Sequence, residues 1–498
     1  MQIYKEIITA KNGMQIPIFL SGRSMESRYN PLRDSENLLN TITEKADFFL
    51  ILGTGSGTFI DLLSKKFPEA QITAIELYKD DLDFLKQLPL IQDLMKNPRI
   101  HFCYLDELGA FLIQNYLPAK FGELKIIEQR AWVNENSDQI QKINSILNKS
   151  IGIISADYSV QAHFGKIWTS NIINNSKLAE KFNSINLYKN IISHNQKTAI
   201  IAAAGPSLDN TISSILKNNR EDYYIISTDT AGLSLVKQNI IPDVIVSIDA
   251  QSVSYNHFVN LKNMTDIIFA FDLCANTSAV NHICEKNNKA LFFCSGHPLA
   301  AAINASCKSP LPYFYSGAGT VTITALDIAV QAGFQKILIL GADFSYSKGK
   351  AYTKGTYLDS LYNMVSTRIK ENEALFSKLM FRTELLKLEE EKTTTAVLEA
   401  YKSSLEKYIS DKNIVFSKAN DIYELNCSST FQKTSIKIND NNYSLLPFMN
   451  KIKESDIFEA ETILLPYVAW LRNNDKYKNY NYKELLKLAL DTIVSYNI

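Results

Sequence analysis

Short apolar runs alternate with helix-like segments through most of the first 350 residues, and this alternation predicts an α/β fold. The clearest run is the stretch of six apolar residues from Ala199 to Ala204. A short continuous run of this kind is typical of a parallel strand buried on both faces. The same pattern predicts strands at 48–52, 71–76, 102–106 and 126–128, and then at 199–204, 223–228, 241–249, 267–272, 290–294 and 336–341.

The pattern divides the chain of 498 residues into three predicted domains. Residues 1–190 are expected to form a Rossmann-like N-terminal domain, and residues 191–425 a central doubly wound α/β domain. Within the central domain, helical periodicity over 356–412 predicts a helical insertion, after which the strand-like run 414–425 returns to the sheet. Residues 426–498 are predicted to form a helical C-terminal region.

Composition changes this picture only by exclusion. Lys plus Arg and Asp plus Glu both number 52, so no global charge predicts a nucleic-acid partner or an anionic membrane. The six cysteines have no Cys-x-x-Cys spacing, which favours reduced thiols over disulfides or zinc sites. There is no secretory signal pattern, and no apolar run approaches the length of a membrane span. We therefore expect a cytoplasmic protein of unknown oligomeric state.

A first glycine-rich turn, Gly53-Thr-Gly55-Ser-Gly57, follows a predicted buried strand and precedes a helix-like segment. The next predicted strand ends in an acid, Glu76. This arrangement resembles the start of S-adenosylmethionine-dependent methyltransferases, where the glycines admit the cofactor and the acid binds the ribose hydroxyls. The later parts of a methyltransferase site are not visible, so methyl transfer is an alternative that the fold alone does not establish.

A second turn, Gly205-Pro206-Ser207, follows the run from Ala199 to Ala204. Glycine permits the turn, proline fixes φ, and Ser207 is expected to cap the following helix. Free N–H groups at the helix N-terminus would then face a crevice and bind a phosphate or another anion. The alternative is an ordinary strand-to-helix turn.

Polar side chains end several predicted strands of the central domain. Ligands bind outside the carboxyl ends of strands in open α/β sheets, so these side chains are expected to meet in one crevice. They are Thr228, Asp229, Asp249, Gln251, Asp272 and Asp343.

Two further segments point to the same crevice. Ser316-Gly317-Ala-Gly319-Thr320 again joins a glycine-rich turn to a helix N-terminus. Tyr346 and Tyr352 lie in a polar loop after the last predicted strand, where their phenol hydroxyls are placed to donate to a phosphate; packing of both rings onto the sheet is the alternative.

The order of these pieces resembles the motility-associated factor (Maf) glycosyltransferases. The resemblance covers most of residues 15–360 and is specific only in combination. It rests on Ser27-Arg-Tyr-Asn-Pro-Leu-Arg33, Ala204-Gly-Pro-Ser-Leu208, Pro242-Asp-Val-Ile-Val-Ser-Ile-Asp249, Gly317-Ala-Gly-Thr320 and Leu340-Gly-Ala-Asp-Phe-Ser-Tyr346.

This resemblance implies a transferase that moves a nonulosonic acid, such as pseudaminic or legionaminic acid, from a CMP-activated donor to Ser or Thr of flagellin. The central domain also resembles bacterial sialyltransferases, a variant of the GT-A fold that needs no further cofactor or metal. By that match Gly205 and Ser207 contact the donor, Ser316 and Gly317 the cytidine part, and Tyr346 and Tyr352 the leaving phosphate. The further residues expected to bind the donor are Pro206, Thr228, Asp229, Gln251, Gly319 and Thr320.

The chain departs from the sialyltransferases in one respect. Those enzymes place a catalytic histidine after the tyrosine pair, and here no histidine follows His297. The general base is left open between Asp249, Asp343 and the leaving phosphate itself.

Two other functions compete with the transferase. Archaeal pterin diphosphokinases resemble the same domain, but Mg²⁺-dependent transfer from ATP normally needs clustered carboxylates, and Ser247-Ile-Asp249-Ala-Gln251 offers one Asp where two are expected. A non-enzymatic flagellin-binding role is the other alternative.

Overall fold

The computed structural model describes residues 2–216, 219–262, 264–317, 319–389, 392–419, 421–427 and 443–496. The chain forms two compact units: Met1–Gly165 with Leu465–Ala489, and Lys166–Leu464 with Leu490–Ile498. The first unit thus ends at Gly165, not at residue 190, and it takes in residues that the sequence placed in the C-terminal region. Among the described residues, no helix is both long and apolar enough to span a bilayer.

The first unit is built on a parallel sheet in the strand order β5-β4-β3-β6. Its strands are β1 Tyr4–Thr9, β2 Gln15–Phe19, β3 Phe48–Leu52, β4 Gln71–Glu76, β5 Ile100–Tyr104 and β6 Leu124–Glu128. Its helices are α1 Pro31–Asn40, α2 Thr58–Lys66, α3 Lys79–Leu85, α4 Pro89–Leu94, α5 Leu105–Asn115, α6 Pro118–Phe121, α7 Arg130–Glu135 and the first part of α8 Ile140–Ala179. Helices follow parallel strands in turn, as in Rossmann-like folds, and β3 is fully buried because all five of its residues are apolar.

The second unit alternates strands and helices up to β12. These elements are α9 Ser184–Ile192, β7 Thr198–Ala202, α10 Leu208–Leu216, β8 Tyr223–Thr228, α11 Asp229–Lys237, β9 Val244–Ser247, β10 Ile268–Asp272, α12 Thr277–Cys284, β11 Ala290–Phe293, α13 Pro298–Ser306, α14 Val321–Ala332 and β12 Lys336–Leu340. Short 3-10 turns lie at Arg220–Asp222 and Ser252–His257.

The remaining elements follow β12. They are β13 Tyr346–Ser347, α15 Tyr357–Val365, α16 Asn372–Met380, β14 Leu386–Glu389, β15 Lys392–Thr394, α17 Ala396–Asp411, β16 Val415–Ala419, β17 Ile422–Asn426, α18 Leu446–Glu454, α19 Glu461–Arg472 and α20 Tyr482–Ser495, with a 3-10 turn at Asp475–Tyr477.

The expectation that residues 356–412 are helical throughout was incomplete. Within this segment β14 and β15 form an antiparallel hairpin, and β15 also pairs with β13. The later strand-like run does return to the central sheet, as β16 and β17. Of the predicted C-terminal helical region, residues 428–442 lie outside the described residues.

The central sheet has the strand order β11-β10-β9-β8-β7-β12-β17-β16. The strands from β11 to β12 are parallel, β17 is antiparallel to β12, and β16 is antiparallel to β17. The chain starts at β7, moves outward through β8, β9, β10 and β11, and then returns to the other side of β7 as β12. The switch point between β7 and β12 is where ligands bind in doubly wound sheets, because the two connections leave in opposite directions and open a crevice.

Two glycines allow the chain to turn closely at this switch point. Gly205 follows β7 and donates its N–H to the carbonyl of Gly341, which follows β12, at 2.8 Å. Gly341 has a left-handed φ of +68°, and a Cβ there would overlap the carbonyl oxygen of Ala203 and lie 3.0 Å from Leu208 Cβ. Both the backbone conformation and the close approach therefore require glycine.

We expect Gly341→Ala to destabilise the protein more than Gly349→Ala. Gly349 has nearly the same φ, +71°, but no atom within 4 Å of an added Cβ, so this control carries only the backbone strain of roughly 1 kcal/mol or more. Thermal unfolding of both variants measures the difference. Equal losses would show that the two strand ends do not approach as closely as described.

Candidate functional site

The corner at the switch point is held together by a carboxylate. The backbone N–H of Ser207 donates to Asp343 Oδ2 at 2.8 Å, and the Ser207 hydroxyl donates to Asp343 Oδ1. Burial raises the pKa of Asp343, and the two hydrogen bonds from Ser207 oppose that rise. Asp343 therefore joins the end of β12 to the start of α10.

This arrangement corrects the expectation that Ser207 caps α10 and leaves free N–H groups for an anion. The N–H groups of Gly205, Ser207 and Leu208 donate to Gly341 O, Asp343 and Gly205 O respectively. Asp343 thus occupies the position of the expected anion. The corner is a fixed wall of the crevice, and its hydrogen bonds favour a positioning role for Asp343 over that of a base.

The ends of β8 and β9 are joined in a similar way. Asp229 is 3% exposed and accepts hydrogen bonds from the Ser247 hydroxyl at 2.7 Å and from the Thr230 N–H at 2.7 Å. Thr228 caps α11 by accepting from the Ala231 N–H. Thr228 and Asp229 were both expected to contact the sugar donor. Their side chains instead form hydrogen bonds that hold the strand ends together.

Asp249 and Gln251 follow β9 and lie further out. Gln251 is exposed, and its backbone N–H donates to Asp249 Oδ1 at 2.9 Å. Burial raises the pKa of Asp249, and the nearby carboxylate of Asp229 also raises it, whereas His257 lowers it. Asp229 and His257 therefore both lie close to Asp249.

The second part of α8 covers the turns that follow β9 and β10. The amide of Asn171 donates to the carbonyls of Ala250 and Cys274, and that of Asn175 donates to Leu273 and Ala275. Asp272 is 1% exposed beneath this layer and accepts from the Cys274 N–H. Asp272, expected from the sequence to face the crevice with the other strand ends, is buried instead.

The connection after β12 crosses the open part of the edge. Thr353 donates its N–H to Ala204 O at 2.9 Å, beside the end of β7. The Ser234 hydroxyl of α11 then donates to the carbonyl of Lys354. Tyr357 finally reaches the turn after β9, where its ring lies 4.8 Å from that of His257. Residues 343–357 therefore form a cover that runs over β7, β8 and β9.

Several tyrosines lie close together in and around this cover. Burial raises the pKa of Tyr352 to about 12, with smaller contributions from Tyr346, Tyr357, Tyr362 and Tyr401. Those contributions show that the predicted pair lies near three further tyrosines. The sequence singled out Tyr346 and Tyr352 by their spacing, but Tyr357 and Tyr401 lie on α15 and α17, and no local pattern connects them to the site.

The turn before α14 lies at the same edge, because α14 leads directly back into the parallel strand β12. Ser316 accepts from the Gly319 N–H at 3.1 Å, and Thr320 precedes the helix without a side-chain capping bond. Gly317 and Gly319 are exposed, and a Cβ on Gly319 would lie 3.9 Å from the ring of Tyr401. Tyr401 therefore connects the Ser316–Thr320 turn with Tyr352.

The crevice is suited to an anionic ligand with a planar group. The N-terminus of α14 lies at this edge, phenol hydroxyls offer donors without charge, and aromatic rings offer stacking surfaces. Within the described ranges, no group of three or more His, Cys, Asp or Glu side chains is arranged to hold a metal ion.

The glycine-rich turn of the first unit is filled by the chain's own side chains. A Cβ on Gly53 would lie 2.5 Å from Trp132 Cγ and 2.8 Å from Met25 Cε, and one on Gly55 would lie 2.7 Å from Glu26 Oε1. Glu76 is fully buried and accepts from Thr54 N–H at 2.7 Å and Trp132 Nε1 at 2.8 Å. The glycines thus admit protein atoms where a methyltransferase admits its cofactor, which argues against methyl transfer.

Comparisons with known proteins cover different parts of the chain. Residues 170–349 match the family model of MptE-like 6-hydroxymethylpterin diphosphokinases. Two uncharacterised proteins of Treponema pallidum (strain Nichols) are similar to the chain. One is 40% identical over 113 residues, which is 23% of this chain and 40% of the relative; the other is 34% identical over 165 residues, 32% of this chain and 76% of the relative.

The chain covers 76% of the second relative at 34% identity, which is enough to establish a shared family. The chain belongs to the same family as this Treponema protein. The first relative is spanned over less than half of its length. Among solved structures, the Maf glycosyltransferase from Magnetospirillum magneticum AMB-1 has a similar fold, with a TM-score of 0.50 at 10% identity over 99% of this chain and 86% of that one. The Maf resemblance predicted from the sequence, with its MptE-like central domain, is therefore confirmed, as a likeness of fold.

The filled turn of the first unit predicts a pH effect on stability. Burial raises the pKa of Glu26 to about 7, and its buried Oε2 atom has no hydrogen-bond partner within the part of the chain that the structure describes. A raised carboxyl pKa favours folding below the unfolded value, and that contribution is lost as pH rises from about 4.5 through 7.

Glu26→Gln keeps an acceptor for the Ser56 N–H and removes the buried charge. We expect this variant to unfold at a higher temperature than wild type at pH 8. Each kcal/mol gained in the free energy of unfolding should raise the unfolding temperature by roughly 2–4 °C. At pH 4.5 we expect no gain. The exposed Glu69→Gln variant in the same unit serves as the control. A Glu26→Gln variant that is no more stable at pH 8 would contradict the buried position of this carboxyl.

Proposed function

We propose that this chain is a protein O-glycosyltransferase that moves a nonulosonic acid from a CMP-activated donor to Ser or Thr of flagellin. The observation that carries the proposal is the covered crevice at the β7–β12 switch point. The phenol groups of Tyr346 and Tyr352 and the glycine-rich turn before α14 come together there. The Maf-like fold supports glycosyl transfer as the class of reaction.

The donor is oriented by three parts of the crevice. Gly205, Pro206 and Ser207 form its wall, and the turn from Ser316 to Thr320 takes the cytidine. Tyr346 and Tyr352 donate to the phosphate of the leaving CMP. Neutral donors of this kind stabilise the charge that develops on the phosphate as the glycosidic bond breaks.

The acceptor reaches the crevice beside the cover. The segment after Tyr357 exposes several apolar side chains: Leu361, Met364, Ile369, Phe381 and Leu388, of which Ile369 is 98% exposed. An exposed apolar group of this kind is typical of protein-binding surfaces. We propose that flagellin docks on it, so that its hydroxyl groups lie next to the donor.

A second candidate, phosphotransfer from ATP, is favoured by the MptE-like match and by the proximity of Asp229 to Asp249. Two carboxylates with substrate phosphates suffice for Mg²⁺. Thermal-shift measurements separate the candidates, because CMP alone would stabilise the glycosyltransferase and ATP with Mg²⁺ the phosphotransferase. Stabilisation by neither, with flagellin still bound, would favour a non-enzymatic flagellin-binding role.

The decisive experiment is co-expression with flagellin and the enzymes that make a CMP-nonulosonic acid, followed by intact mass measurement of the flagellin. We expect added masses that match whole sugar residues. Unmodified flagellin, with all components present, would overturn the proposal.

Asp249→Asn and Tyr352→Phe should lower the rate of transfer without unfolding the protein. Loss of a hydrogen bond to a charged phosphate costs about 1.5–3 kcal/mol, which is roughly 10- to 100-fold in rate for Tyr352→Phe. The controls are Asp266→Asn and Tyr223→Phe, which lie before β10 and at the start of β8, at the opposite edge of the sheet. Wild-type rates in the two site variants would remove those residues from the site.

A further inference from the structure

One histidine of the crevice has a ring nitrogen without a partner. His257 ends the 3-10 turn Ser252–His257, directly after β9 and Asp249. Its side chain is 9% exposed, and its Nδ1 atom is buried without a hydrogen-bond partner among the described residues. A buried polar atom with no partner costs free energy, so its retention here calls for an explanation.

The surroundings of His257 connect it to the proposed donor site. Its ring contacts that of Tyr357 edge-on, at 4.8 Å and an interplanar angle of 83°. Tyr357 belongs to the segment that covers the crevice, five residues after Tyr352. On the other side, His257 lies near enough to Asp249 to lower the pKa of that carboxyl. The imidazole therefore lies near both the carboxylate that follows β9 and the cover.

We propose that His257 is the general base of the transfer reaction and accepts the proton of the attacking hydroxyl at Nδ1. This assignment rests on the proposed function, since it supplies the base that glycosyl transfer needs. The acceptor hydroxyl fills the partner position of Nδ1.

The step balances without a further reactant. The bond between the anomeric carbon of the sugar and the phosphate oxygen of CMP breaks, and its electron pair leaves with CMP. The hydroxyl oxygen of the acceptor Ser or Thr forms the new bond to the anomeric carbon. Its proton passes to His257 Nδ1, and the imidazolium later releases it to water.

The carboxylates of the crevice are less suited than His257 to act as the general base. Asp343 accepts two hydrogen bonds from Ser207 and is fixed in the corner. Asp229 accepts from Ser247 and Thr230. Asp249 accepts from the Gln251 N–H and is placed to stabilise the imidazolium that forms on His257, as a carboxylate does beside a catalytic histidine.

Two titratable groups lie next to His257, and further charged groups lie behind them. Asp249 lies before it in the chain and Tyr357 packs against it from α15. Behind these lie Asp229, which acts on Asp249, and Tyr362 and Arg382, which act on Tyr357. Protonation of the imidazole in this setting abolishes its function as a base, so the rate should fall at acid pH.

The test compares His257→Gln with His282→Gln, using purified protein, CMP-nonulosonic acid and flagellin. His282 lies nearby on α12, where its Nδ1 pairs with the Tyr255 hydroxyl, and it has no part in the proposed site. We expect His257→Gln to lower the transfer rate about 10²- to 10⁴-fold and to remove the fall in rate at acid pH. Stabilisation by CMP and the unfolding temperature should stay near those of wild type, and His282→Gln should transfer normally.

The outcomes separate the two proposals. If wild-type protein transfers the sugar and His257→Gln does so at a similar rate, or with the same fall at acid pH, His257 is not the base, while the proposed function stands. If wild-type protein transfers no sugar to flagellin, the proposed function fails and the assignment of His257 fails with it. If His257→Gln unfolds, His257→Asn replaces it, judged by the same pH profile.

Discussion

The hydrogen bonds from Ser207 to Asp343 are the constraint on which the crevice depends. They join the turns after β7 and β12, the two strands between which the chain changes direction. The paired glycines allow the backbones to meet, and the carboxylate satisfies donors that would otherwise be buried without partners. With this corner fixed, the segment after β12 has a defined start. It can then cross the ends of β7, β8 and β9 and bring Tyr352 and Tyr357 over the sheet.

The two units use the same device with different consequences. In the first unit, Glu26 accepts from the Ser56 N–H at 2.7 Å and Glu76 from the Thr54 N–H, so carboxylates satisfy the glycine-rich turn and large side chains fill the space above it. In the second unit, Asp343 satisfies only one turn, and the neighbouring strand ends stay beneath a cover of tyrosines. A glycine-rich turn after a buried strand therefore does not by itself define a ligand site. Whether a ligand can bind depends on which side chains pack over the glycines.

Local pattern was sufficient to predict most of the architecture. Runs such as Ala199–Ala204 are too apolar for any position but a buried strand, and the return of residues 414–425 to the sheet followed from the same logic. The hairpin of β14 and β15 was missed because the alternation of β14 covers only four residues, Leu386–Glu389, within a Lys- and Glu-rich segment that was interpreted as helical. The partner of the Ser207 N–H could not be predicted from the sequence either, since it lies 136 residues away.

The site was predictable where it consists of strand ends and turns, and not where it depends on packing. Tyr346 and Tyr352 stood out by spacing, but Tyr401 reaches the crevice from α17, and His257 precedes the tyrosines in the chain. A search for a histidine after the tyrosine pair could not find it. The most direct test of the whole account is a crystal structure with CMP bound. We predict CMP in the second unit, between the Gly205–Ser207 corner, the Ser316–Thr320 turn and Tyr352; CMP bound elsewhere, or over Gly53 of the first unit, would contradict the account.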